Sequence, residues 1–297
     1  MFNGTDSNYT NGVKISLISP DLKRFVESGK LPQWSIDYVN KLPFINEPNL
    51  IRRVEFSLGQ NMYTPSDIIR KDRILDDRPY AGWTYFGAAF HSKSKAIMDT
   101  FEFQFGLIGP ESFAEESQKS VHELRNLQRP NGWDNQLKNE PGVAAIYERK
   151  WRLPFLYRAS IPNFDSIAHA GGALGNVYTY ANGGLEMRLG WNLPEDFGVS
   201  LIRPAGNTRF TIKNGKTAYI FGAVNGRAVL QDIFLDGNTF TDSQSVTKEP
   251  FVADFAGGLA IYFAGYKITW TQVLRSREFK EQPDNHSFGS LTLSFFY

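Results

Sequence analysis

The chain has 297 residues, a net charge of +1 and no cysteine. The near-neutral balance, with an isoelectric point near 7.8, gives no basic footprint for nucleic acid, and the missing thiols exclude disulfides and thiolate metal sites. Mean hydropathy is −0.35 and no apolar run is long enough for a membrane helix. Aromatic content is high, with 24 Phe and 13 Tyr, which suits strands and membrane-interface girdles.

Met1 to Asp6 is polar and lacks the basic start and apolar stretch of a signal peptide. Val13, Ile15 and Leu17 then alternate with Lys14 and Ser16. Two short helices are predicted in the following connection, over 20–26 and 34–39. Val54, Phe56 and Leu58 alternate with Arg53, Glu55 and Ser57, and a strand follows over 81–91. The clearest segment sets Phe101, Phe103, Phe105 and Leu107 against Thr100, Glu102, Gln104 and Gly106. Further strands are predicted near 143–152, 167–174, 184–191, 217–234, 251–263, 266–277 and 288–297. Period two dominates throughout.

Strands of about ten residues, apolar on one face and bearing charges of both signs on the other, fit an antiparallel transmembrane β-barrel. A soluble sandwich would instead turn Phe101, Phe103 and Phe105 inward and Glu102 and Gln104 to water. Eleven strands are visible, whereas single-chain bacterial barrels usually have an even number. The expectation is therefore one barrel domain over 1–297 with a further strand before Met1. Strand parity puts residues 1–10, 61–81, 109–141, 174–183, 235–249 and 278–286 at one end. Residues 19–51, 91–97, 155–165, 192–216 and the turn at Ala264-Gly265 fall at the other. With the C-terminus periplasmic, the first set is extracellular.

Chemistry can be sought at the extracellular end. His122 lies in a predicted helix over 115–124, and Gln118, four residues earlier, shares its face. A neutral imidazole there can serve as a general base, or be only a solvated loop histidine. His91 is expected at the membrane interface, His169 packed in the lumen, and His286 solvated. Asn3, Asp6, Asn8, Thr10 and Asn11 offer oxygens of the kind Ca²⁺ takes, although ordinary turns favour the same residues. Arg78 is a candidate for an anionic substrate or a turn residue. Trp133 is read as an interfacial ring beside polar groups. No nucleophile elbow, P-loop or zinc-protease motif is present.

Several ordered motifs resemble those of the outer-membrane lipid A 3′-O-deacylases, over nearly the whole chain. They are the stretch from Gly4 to Gly12, Tyr63-Thr64-Pro65, Asp77-Arg78-Pro79-Tyr80-Ala81-Gly82-Trp83, Gly109-Pro110, Gln118 to His122, Gly132-Trp133-Asp134-Asn135-Gln136-Leu137, and Gly175 to Asn182. The resemblance implies a twelve-stranded barrel in the bacterial outer membrane. It also implies Ca²⁺-dependent hydrolysis of the ester holding the 3′ acyloxyacyl group of lipid A, the lipid anchor of lipopolysaccharide. The family's catalytic His and Gln match His122 and Gln118, and the threonine of its Tyr-Thr loop matches Thr10. The family's Asn-Asp pair has no counterpart here, which leaves Asn3 and Asp6 as candidate calcium ligands. Arg78 is the candidate phosphate or sugar contact, and a monomer is expected. Two alternatives remain open: a phospholipase-like esterase using Ser117 or Ser120, and a non-enzymatic barrel.

Overall fold

The computed structural model describes residues 8–29, 31–153, 163–199 and 216–295, with the backbone alone for 8–11. Eleven strands form one sheet in sequence order, each antiparallel to the next. They are β1 (Asn8–Ile18), β2 (Ile51–Thr64), β3 (Ala81–Lys93), β4 (Ile97–Ile108), β5 (Glu140–Arg152), β6 (Phe164–Gly175), β7 (Tyr178–Trp191), β8 (Thr217–Asp232), β9 (Phe251–Phe263), β10 (Tyr266–Arg275) and β11 (His286–Phe295). Three helices sit in the connections: α1 (Gln33–Val39), α2 (Ala114–Leu124) and the single turn α3 (Ile233–Asp236). None of the helices described is long and apolar enough to cross a membrane.

The faces are those of a barrel. Phe103 and Phe105 are 43% and 62% exposed, while Glu102 and Gln104 beside them are 3% and 4% exposed. The sheet is thus apolar outside and polar inside, the opposite of a sandwich. Register carries this pattern across the wall: Phe86 opposes Phe105, and Ala89 opposes Glu102. With an odd number of antiparallel strands, β1 and β11 run in the same direction, and no ladder joins them among the described residues. That geometry accepts one more antiparallel strand between them.

Buried charge survives in the lumen because it is paired. Glu55 accepts from Ser16 at 2.8 Å and lies 3.1 Å from the Lys14 ammonium. Arg188 bonds Asp165 through Nε at 2.7 Å and also grips Asp196, which arrives on the connection after β7. That connection turns inward, since Lys150 donates to the Phe197 carbonyl at 3.2 Å and Val199 donates its backbone N–H to Glu186 at 2.9 Å. The other end is closed by apolar groups. Ile233, Phe234 and Leu235 of α3 are buried, and Phe234 stacks on Tyr63 with centroids 4.0 Å apart. Side chains are thus packed across the lumen at both ends, charged at one and apolar at the other.

Several boundaries differ from expectation. No helix forms over 20–26, where only a single 3₁₀ turn at Phe25–Ser28 is present, and β2 continues to Thr64, into the loop predicted over 61–81. The predicted loop over 174–183 shrinks to a turn at Asn176 and Val177, and β7 begins at Tyr178. Its Asn-Gly-Gly stretch is extended because small residues are needed there: a Cβ on Gly184 would fall 2.5 Å from the His169 ring and 2.2 Å from the Val224 carbonyl. β8 stops at Asp232, whose carboxylate accepts the Phe234 N–H at 3.0 Å and caps α3.

Candidate active site

The parity of β2 decides on which side of the wall the predicted site lies. Leu58 is exposed on the outer face and Glu55 is buried in the lumen, so Gln60 and Met62 belong to the outer face. The loop after β4 is fastened there. Gln60 Nε2 and Thr84 Oγ1 donate to the Ser112 carbonyl at 2.7 and 2.6 Å. Ala114, at the start of α2, packs with Met62, Tyr80 and Trp133. Gly82 permits this approach, because a Cβ would lie 2.3 Å from that of Ala114. α2 therefore stands against the outer surface of the barrel wall, at the end that strand parity assigns to the outside of the cell.

The buried stripe of α2 is Ala114, Gln118 and His122, spaced by four. The Nδ1 of His122 meets the Gln128 carbonyl in a short hydrogen bond. A carbonyl can only accept, so Nδ1 is the donor, and in the neutral ring the lone pair is on Nε2. Gln118 Oε1 accepts the indole N–H of Trp133 at 2.7 Å. Trp can only donate, so this bond fixes the amide flip and aims the Gln118 NH₂ away from Trp133. That NH₂ is buried and has no hydrogen-bond partner among the described residues. The pair thus sets an imidazole and an unsatisfied amide donor on one helical face.

Trp133 is buried, not interfacial as its sequence context suggested. Its ring lies 5.0 Å from that of Tyr80, whose hydroxyl donates to the Ile68 carbonyl at 3.1 Å. Burial, helped by nearby Asp67 and Asp77, pushes the Tyr80 phenol up to about 12, so it stays a donor at neutral pH. Gly132 makes room for the Tyr80 ring, which a Cβ would meet at 2.5 Å. The sequence signal for this support was the Gly-Trp pair itself, a small residue beside a large ring.

Thr10 is not in a loop. It lies in β1, where the register slips between the pairs Tyr9–Tyr63 and Asn11–Met62. A bulge there sets Thr10 level with Met62, on the strand next to the seat of α2. Its side chain, and all of Asn3 and Asp6, lie outside the described residues. Arg78 faces the other way. It is 1% exposed, donates to Glu278 at 3.1 Å, and packs over the lumen ring of Tyr63 at 5.4 Å. Burial alone would raise the Glu278 carboxyl, but Arg78, Arg275 and Arg227 hold it down at about 2. Nε and Nη1 of Arg78 have no hydrogen-bond partner among the described residues, but burial on the lumen side keeps them from the outer face where α2 sits.

The other histidines are structural. His91 points into the lumen, 2.9 Å from Thr100 Oγ1 and 3.2 Å from Glu55, not to the interface as expected. His169 lies 2.9 Å from Asn225 Oδ1 inside the barrel, as expected. His286 is buried against the Phe288 ring, 5.6 Å away, and not solvated. A cavity of about 300 Å³ is lined by the lumen residues Tyr63, Trp83, Tyr178 and Arg275 and reaches the exposed edges of β1 and β11 at Val13 and Leu291, and no residue of α2 lines it. Among the described residues, no group of three acidic or histidine side chains comes together as metal ligands.

No curated protein matches the sequence significantly. Among solved structures, LpxR from Salmonella typhimurium superimposes with a TM-score of 0.79 at 18% identity, over 99% of this chain and 90% of that one. The sequence matches the family described as Outer membrane protein LpxR over residues 1–297. The chain therefore belongs to that family, and its barrel is an outer-membrane one.

Proposed function

We propose that this protein hydrolyses the ester that holds the 3′ acyloxyacyl group of lipid A in the outer leaflet, with His122 as general base. The observation that carries the reading is the placement of His122 and Gln118 on the outer face of the rim, where the wall meets lipid. A lumen enzyme would not need its base outside. Phe113, Leu124 and Leu127 are exposed around the same helix and suit contact with acyl chains.

The chemistry follows from the two side chains. His122 Nε2 takes a proton from water as the oxygen attacks the ester carbonyl. The carbonyl becomes an oxyanion, and the Gln118 NH₂ donates to it, gaining the partner it lacks. The imidazolium then returns its proton to the departing sugar oxygen, which leaves an alcohol and a carboxylic acid. Thr10, whose backbone lies at the bulge beside Met62, would orient substrate in this reading. Calcium is proposed on the family resemblance, with Asn3 and Asp6 as donors; bound there it would polarise the carbonyl as a Lewis acid. Arg78 is better suited to bracing the rim through Glu278 than to a lipid A phosphate.

Mass spectrometry of lipid A from cells producing the full-length protein tests this. Loss of the 3′ acyloxyacyl mass is expected with the wild type and not with His122→Ala. An unchanged spectrum with folded wild-type protein would refute it. A serine-nucleophile phospholipase has less support: Ser120 is exposed, and no described hydrogen bond links Ser117 or Ser120 to His122. The pore reading is opposed by the side chains packed across the lumen at both ends.

A further inference from the structure

The connection between β1 and β2 does not hang below the barrel. It folds up against the outer wall. Phe25, Val39 and Ile45 pack with Val54 of β2 and Phe90 of β3, and Phe101 of β4 lies against the same cluster. These strand residues all belong to the outward face, in register with one another. Just beyond them the outward face turns polar, with Arg52, Ser92 and Asp99, all buried. Arg52 donates to the carbonyls of Lys23, Glu47 and Leu50 at 2.6, 2.8 and 3.1 Å. Ser92 donates to the Ile45 carbonyl, and Asp99 is held by Arg149 and Tyr147. Polar groups that would otherwise face the bilayer edge are therefore satisfied, Arg52 and Ser92 by this segment and Asp99 by β5, where Phe44 of the segment packs on Tyr147 and Arg149.

What the segment presents outward is aromatic. In α1, Ile36 and Val39 are buried, whereas Trp34 and Tyr38, four residues apart, are each 67% exposed. Phe44 is exposed as well, and Lys41 reaches over the Tyr38 ring at 5.6 Å. Elsewhere on this end of the barrel, exposed strand-end aromatics include Trp191, Phe263, Tyr266 and Phe295, a girdle at the membrane boundary. β2, β3 and β4 carry no exposed aromatic at that end; their outward positions there are the covered polar ones.

We propose that residues 33–44 are a membrane-interface element that completes the aromatic girdle over β2–β4, with Trp34 and Tyr38 seated at the headgroup–acyl boundary of the leaflet opposite α2. The occupant is phospholipid, because the patch is continuous with the lipid-facing belt of the same wall. The amphipathic rings suit that depth, and Lys41 beside them suits lipid phosphate. The inference concerns anchoring and does not depend on the esterase reading.

The test uses the full-length protein in phosphatidylethanolamine/phosphatidylglycerol vesicles whose acyl chains are brominated either near the headgroup or near the methyl end. The chain has six Trp, so the Trp34 signal is the difference between wild type and Trp34→Phe. Expected is quenching of that signal by lipid bromine, at least twofold stronger for the shallow label. A second variant, Trp34→Phe with Tyr38→Trp, moves the reporter one turn and should give the same order. Indifference to both labels, with acrylamide quenching like that of free tryptophan, would place the helix in water and overturn the proposal. Stronger quenching by the deep label would overturn the assigned depth.

Discussion

Trp133→Phe removes one hydrogen-bond donor from behind the site while keeping an aromatic ring against Tyr80. The lost bond is the 2.7 Å contact from indole N–H to Gln118 Oε1. In stability, a neutral hydrogen bond contributes about 0.5–1.5 kcal/mol, and a stranded buried acceptor costs about 1–3 kcal/mol. The effect on rate has a different origin. Without Trp133 the Gln118 amide can flip, and its NH₂ no longer points at the developing oxyanion. Loss of one such donor costs about 2.7–4 kcal/mol, or roughly 100- to 1,000-fold in kcat, and this is the expectation for Gln118→Ala. Trp133→Phe, which leaves the amide present but unoriented, should lose roughly 10-fold in kcat on the same scale, with little change in KM. Release of the 3′ acyloxyacyl acid from purified lipid A in mixed micelles supplies the rates, and heat-modified gel migration reports folding. If Trp133 acts only through Gln118, the double variant is no slower than Gln118→Ala. Wild-type kcat in folded Trp133→Phe, or a double variant whose losses multiply, would refute the reasoning.

Gly82→Val should lift α2 from the wall, since even a Cβ meets Ser112 Oγ at 2.1 Å; activity is lost while heat-modified migration shows an intact barrel. Glu278 has a folded value of about 2, below its ordinary 4.5, so its stabilisation is complete above about pH 4.5 and is lost as pH falls toward 2. The melting-temperature gap between wild type and Glu278→Gln should therefore be widest at neutral pH and close between pH 4.5 and 2; a gap unchanged over that range would contradict it. Chelation with EGTA should stop lipid A hydrolysis, and added calcium should restore it; full activity in EGTA would remove the metal from the account.

The outward and inward faces could be read from sequence because a period of two leaves no ambiguity in a segment such as Phe101 to Leu107. The two ends followed from parity, and they put Thr10 and His122 at the same one. Which side of the wall carries His122 could not be read, because it depends on where a loop folds back. The contact between Gly82 and Ala114 joins residues that have no pattern in common. Trp133 was visible as a motif, but its donor role needed the position of Gln118. His91 was misplaced because a strand end looks alike whether it turns in or out, and His286 because β11 begins at His286, two residues before the predicted strand. The segment over 34–39 was predicted as a helix; that it packs on the membrane face follows from Arg52 and Ser92, outward polar residues that a barrel pattern alone leaves unexplained.

The central claim is that one imidazole outside the barrel wall directs water onto an ester of an outer-leaflet lipid. The most direct measurement is hydrolysis of purified lipid A by the full-length protein in ¹⁸O-labelled water. The account predicts a 3′ acyloxyacyl acid carrying the label in its carboxyl group, and none released by folded His122→Ala. Equal release by the variant, or label in the sugar hydroxyl instead of the acid, would contradict it.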